Sequence, residues 1–113
     1  MKKLLVSAMA SLLFSTAVMA DVNLAKSYPA DGSMLMQQPK KVQLKFDDHV
    51  ELKTIILYDA KGQSRTIMQG DGSHDVLFSA PLMPLKQGNY KIGWVVKSMD
   101  GHEVKGMLGF MVH

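Results

Sequence analysis

From residue 22 onward the chain reads in twos. In "KVQLKFD" (41–47), Val42, Leu44 and Phe46 alternate strictly with other positions, and "NYKIGWVVKS" (89–98) puts Tyr90, Ile92, Trp94 and Val96 on one face. Successive side chains of a strand point to opposite faces, so each stripe predicts a strand with one side on a core. "VNLAKSY" (22–28) alternates as well, and "KTIILYD" (53–59) and "VLFSA" (76–80) are short apolar runs. "KGMLGFMVH" (105–113) has Met107, Gly109 and Met111 on one face and Leu108, Phe110 and Val112 on the other. Turn chemistry separates these runs: "PADGS" (29–33), "DAKGQ" (59–63), "GDGSH" (70–74), "LKQGN" (85–89) and "DGHE" (100–103). There is no long helical period and no internal repeat. Six or seven short strands with regular turns predict an all-β fold, an antiparallel sandwich of immunoglobulin-like type. "MLMQQP" (34–39) fits either a short helical turn or an irregular crossover.

The first twenty residues break the pattern. Lys2 and Lys3 precede an uncharged apolar run from Leu4 to Val18, and Val18-Met19-Ala20 suits a cleavage site. That is the layout of a secretory signal peptide, and the run is short for a membrane span of about 20 residues. The expected organisation is a signal peptide at 1–20 and one domain at 21–113, exported to a bacterial periplasm. Removing 20 of the 113 residues leaves 93, enough for one core. It also removes two of the 13 basic residues, leaving 11 against 10 acidic ones and a net charge of about +1. With no basic run beyond Lys40-Lys41 and no interleaved aromatics, nucleic acid is excluded as a partner. The chain has no cysteine, so neither disulfides nor thiolate chemistry is available.

Enzyme chemistry finds no footing: there is no phosphate loop, no nucleophile elbow and little room for a deep cleft between paired carboxylates. A binding protein rather than an enzyme is expected. The candidate chemistry lies in "KSMDGHEVKG" (97–106). Asp100 and His102 are two residues apart, which in extended backbone places both on one face, about 7 Å apart. Imidazole nitrogen with carboxylate oxygen suits Cu(II), Zn(II) or Ni(II). A D-G turn followed by an exposed histidine is equally an ordinary turn, and the pattern alone leaves both readings open. His49 follows Asp47-Asp48 near a strand end, His74 lies in a glycine-rich turn, and His113 ends the sequence. Seven methionines follow residue 20; thioethers bind Cu(I), but methionine is also a generic packing residue, and no tight M-x-x-M cluster occurs.

Two blocks, "NLAKSYPADGSMLMQQPKKVQLKFDD" (23–48) and "SAPLMPLKQGNYKIGWVVKSMDGHEVKGMLGFMV" (79–112), together with the leader, resemble the CopC family of periplasmic copper-binding proteins. Tyr90, Trp94, Ser98, Asp100, His102, Gly106 and Phe110 fall in register with the family pattern. The resemblance implies a seven-strand Greek-key β-sandwich with a Cu(II) site at one end. It implies Asp100 and His102 as ligands, completed by the mature N-terminal residue. In typical members that residue is histidine; here it is Asp21, which keeps the α-amine and a carboxylate but loses an imidazole. Weaker Cu(II) binding is expected, since tetragonal Cu(II) favours nitrogen donors. His49 is the candidate to supply the missing nitrogen, beside Asp48, where some members have a glutamate near the metal. The stretch that matches the family's Met-rich loop, 58–76, holds only Met68 and His74, which predicts no tight Cu(I) site.

The resulting expectation is a monomeric periplasmic Cu(II) carrier for copper resistance, storage or delivery to an inner-membrane transporter of the CopD type. The rival is the same sandwich with a degraded metal site, serving as a protein-interaction module through exposed apolar residues near "MLMQQP".

Overall fold

The computed structural model describes residues 22–113; the expected leader and Asp21 lie outside the described residues. Seven strands follow in order: β1 (Leu24–Tyr28), β2 (Ser33–Leu35), β3 (Lys41–Tyr58), β4 (Ser64–Gln69), β5 (His74–Pro81), β6 (Gly88–Ser98) and β7 (Glu103–Val112). The fold is all-β and immunoglobulin-like, as the alternation predicts.

The largest departure from the sequence reading is β3. The runs at 41–47 and 53–59 are one strand of 18 residues that serves both layers of the sandwich. Its first half pairs antiparallel with β1 and β5, and its second half with β4 and β6. Beyond β6 the ladder continues to β7 and then to the short edge strand β2, which runs parallel to β7. "MLMQQP" is thus resolved as the end of an edge strand followed by a bend. β4 escaped the sequence reading because "SRTIMQ" lacks a clean apolar period; it is an edge strand laddered to β3, with Ile67 and Met68 half-buried against the core.

Where β3 passes from one layer to the other, its ladder slips. Lys45 pairs with Leu77 and Val50 with Asp75, so five steps of β3 span two of β5. The surplus residues bulge outward, which leaves Asp47, Asp48 and His49 exposed between buried Phe46 and buried Val50.

The core is drawn from both layers: Val42, Leu44, Phe46 and Phe78 from one, Ile55, Leu57, Ile92, Trp94, Val96, Leu108 and Phe110 from the other. Phe46 joins them, meeting Phe78 edge-on at 6.1 Å and Trp94 edge-on at 6.3 Å between ring centroids. On β7 the buried face is Leu108, Phe110 and Val112, so Met107 and Met111 point away from the core. Gly106 makes room for the indole. A Cβ there would stand 2.2 Å from the Trp94 ring, so Gly106→Ala forces the ring to move. We expect that variant to lower the thermal midpoint by several degrees in a calorimetric scan, as overpacking of a dense core costs about 1–3 kcal/mol.

Candidate metal centre

β6 ends at Ser98 and β7 begins at Glu103, and the last ladder pair between them is Lys97 with Glu103. The connection is closed by backbone hydrogen bonds, Gly101 N–H to Ser98 O at 2.9 Å and Ser98 N–H to His102 O at 2.8 Å. Gly101 sits at φ +95°, a conformation that other L-residues adopt only under strain, so this position sets the course of the turn. The motif D-G-H is therefore a tight turn, and it is a turn with a defined interior.

Ser98 organises that interior. It is the buried polar residue of the described core, 6% exposed. Its hydroxyl donates to Asp100 Oδ1 in a short hydrogen bond and accepts from the His102 N–H at 3.2 Å. The same Oδ1 accepts from the His102 N–H, also at 3.2 Å. With Oδ1 engaged, Oδ2 turns to the imidazole and lies 3.1 Å from His102 Nδ1. The Ser98 hydroxyl first, then the His102 ring and amide, hold the Asp100 carboxyl down at about 2, against an ordinary value of 3.8. Asp100 is thus an anion at any pH a cell offers, and needs no deprotonation to bind a cation.

The arrangement fits a metal ion. Two donors in adjacent positions around an ion, each about 2.0 Å from it, stand about 2.8 Å apart, close to the Oδ2 to Nδ1 separation. A cation held by both atoms needs the His102 Nδ1 lone pair free of a proton. The imidazole is largely exposed and the carboxylate half-exposed, so both are open to an incoming ion.

Asp48 and His49 stand nearby in the ladder. Val50 pairs with Ser98, so His49 is one residue from the position opposite the base of the turn. The His49 N–H donates to Asp48 Oδ1 at 2.8 Å, and its Nδ1 lies 4.0 Å from the same oxygen. Neither side chain closes on Asp100 and His102: among the described residues no group of three or more His, Asp or Glu converges on one point. β1 leads towards the same end. Asn23 and Asp47 are tied twice, by Asn23 N–H to Asp47 Oδ1 and by Asp47 N–H to Asn23 O, both at 3.0 Å. Asp21 itself is outside the described residues.

The role of Ser98 was not read from the sequence, although the residue was in register with the family pattern; its burial and its hold on Asp100 required coordinates. Ser98→Ala should raise the Asp100 pKa back towards 3.8, read by carbon-13 NMR of the carboxyl during an acid titration. Because the folded value is depressed, the stabilisation it reports is present above about pH 4 and is lost as pH falls towards 2. The variant should lose that acid-limb dependence.

An all-β sandwich with an acidic and histidine-bearing turn at one end defines a class of small binding domains, and comparison makes it particular. Residues 24–113 match the CopC domain, and the chain belongs to the CopC family. It is 30% identical over 105 residues to Protein YobA of Escherichia coli strain K12, covering 88% of this chain and 85% of YobA. The crystal structure of CopC from Methylosinus trichosporium OB3b superposes with a TM-score of 0.70 at 27% identity, covering 81% of this chain and 93% of the other. PcoC, a methionine-rich copper resistance protein from Escherichia coli, shares the fold at 23% identity and a TM-score of 0.60, covering 83% of this chain and all of PcoC.

Proposed function

We propose that this protein is a periplasmic Cu(II)-binding protein that holds copper and hands it on, without catalysing a reaction. Membership of the CopC family, together with the copper resistance role carried by the name of PcoC, supports copper as the cargo. The observation that carries the reading is the pairing of Asp100 Oδ2 and His102 Nδ1 at 3.1 Å, on a carboxylate whose other oxygen Ser98 fixes. Nitrogen and oxygen donors suit Cu(II).

The remaining donors would come from the mature N-terminus. Asn23 is fixed to Asp47, and two extended residues reach about 7 Å, so Asp21 can reach the end of the sandwich that bears the turn. Its α-amine would supply a second nitrogen and its carboxylate an oxygen. His49 would add a third nitrogen, with Asp48 beside it contributing negative charge. On this reading the 1–20 segment is a cleaved signal peptide, the domain is 21–113, the protein acts as a monomer, and an inner-membrane transporter of the CopD type receives the ion.

The test is Cu(II) titration of the protein beginning at Asp21, followed by electron paramagnetic resonance. One equivalent bound with a tetragonal nitrogen/oxygen spectrum supports the reading; only weak, non-stoichiometric binding sinks it. That second outcome favours a degraded site on an interaction module, for which exposed Met34 and Met36 are the contact residues. His49→Ala separates the two routes to a third nitrogen. We expect about a tenfold loss of Cu(II) affinity and a change in nitrogen hyperfine structure. Unchanged affinity would assign His49 to solvent.

A further inference from the structure

The layer built by β1, β5 and the first half of β3 has a basic outer face. Lys26 on β1 stands directly opposite Lys45 on β3, and Leu77 on β5 stands opposite Lys45 on the other side. The next row holds Tyr28, Gln43 and Ser79, and the row after it pairs Lys41 with Pro81. Register partners share a face, so the rows lie about 7 Å apart on strands about 5 Å apart. Lys26, Lys41 and Lys45 are exposed, and among the described residues none is paired with a carboxylate. Tyr28 and Leu77 are exposed among them, at 43% and 46%.

Like charges directly opposite each other in a ladder are destabilising. Lysine on an edge strand guards against unwanted pairing, which accounts for Lys26. It does not account for Lys45, which has β1 on one side and β5 on the other. An anion from outside would relieve the pair. Between the two lysines lies a shallow depression of about 220 Å³, floored by Ser27 and Gln43 and walled by Tyr28 and Leu77. It is smaller than a pocket for a drug-sized molecule.

We infer that this face docks on an anionic lipid bilayer, with a lipid phosphate seated between Lys26 and Lys45. Clustered lysines are drawn to anionic lipid, and tyrosine settles at the headgroup level. A protein partner fits less well. Protein interfaces are enriched in arginine and depleted in lysine, and the chain's one arginine, Arg65, lies on β4 of the other layer. The docked orientation follows from where the positive rows stop. Past Lys45 and Leu77 the same strands carry exposed Asp47 and Asp75. Val50, which pairs with Asp75, also pairs with Ser98 at the base of the D-G-H turn. The end that bears the turn is thus the acidic end, and an anionic surface repels it. A docked molecule keeps the turn open to solvent. The face uses no residue of the turn, so it stands or falls independently of the Cu(II) reading.

The test is co-sedimentation of the protein from Asp21 onward with vesicles. One set is phosphatidylglycerol and phosphatidylethanolamine in equal parts; the other is phosphatidylcholine alone. The protein should pellet with the anionic vesicles at low salt and stay in solution with the neutral ones. Rising salt should release it, because exposed charges are screened. Lys26→Gln/Lys45→Gln should weaken binding at least about tenfold, since each lysine near an anionic surface is worth about fivefold. Lys91→Gln/Lys105→Gln removes the same charge from the outer face of the other layer and should weaken binding far less. A thermal midpoint no lower than that of the wild type shows that each variant is folded. Equal losses in the two double variants, or equal binding to both kinds of vesicle, overturn the proposal. So does release by inorganic phosphate at the vesicles' own phosphate concentration, which would make the face a site for a free anion. Absence of binding to anionic vesicles overturns it too, and retention on immobilised polyglutamate would then assign the face to an acidic protein.

Discussion

His102→Ala is expected to abolish stoichiometric Cu(II) binding, lowering affinity by about a hundredfold or more, equivalent to about 2.7 kcal/mol. The variant removes the one imidazole that the turn presents and leaves the turn only its carboxylate. Without that nitrogen, the ion keeps no nitrogen donor fixed to the sandwich by the turn, and binding depends on the N-terminus and His49. Asp100→Asn should lose about ten- to a hundredfold, because it removes both an anionic oxygen and the acceptor that fixes the imidazole. Competition titration against a Cu(II) chelator reads both, and the resonance spectrum should lose nitrogen couplings in the first variant and keep them in the second. Wild-type affinity in His102→Ala would remove the turn from the metal site altogether. Folding should survive in both variants, since the turn's backbone hydrogen bonds run between Ser98, Gly101 and His102 main-chain atoms.

The second large effect is on stability. Phe46→Ala should cost about 3–5 kcal/mol. Phe46 is 2% exposed and touches rings from both layers, Phe78 on one and Trp94 on the other. Truncation leaves a void between layers that are joined through β3 and cannot simply slide together. A domain of this size has about 5–15 kcal/mol of stability to lose, and each kcal/mol moves its midpoint by about 4–8 °C. Calorimetry should therefore show a fall of at least about 12 °C, with Cu(II) uptake at low temperature retained. A fall of only a few degrees would mean that the layers collapse to fill the gap.

Much of this fold was legible in the sequence, and particular residues show why. Val42, Leu44 and Phe46, and Ile92, Trp94 and Val96, follow a two-residue period, and all six are buried. Period reports which residues share a face, not where a strand ends, so the break expected between 47 and 53 was a bulge within one strand. On β7 both faces were apolar, and only the packing against Trp94 and the neighbouring strands decides that Leu108, Phe110 and Val112 go inward. At the candidate site, Asp100 and His102 could be named from spacing and from the family pattern. Their mutual distance, and the Ser98 hydroxyl that sets it, depend on a buried hydrogen bond that spacing cannot express. Asp48 and His49 were expected at a strand end; they lie inside β3, where the bulge turns them to solvent rather than into contact with the turn.

The single strand β3 also governs how the molecule comes apart. Around Val50 and Glu51 it is bonded on one side to β5 and on the other to β6, at the point where the two layers meet. No layer can open there without freeing the other, so neither half has an independent existence as a folded unit. The amide protons of Leu52, Ile55 and Leu57 should then exchange with deuterated solvent only when the whole domain unfolds, at one common free energy. Those of β2 and β4, on the edges, should exchange through local fraying orders of magnitude faster.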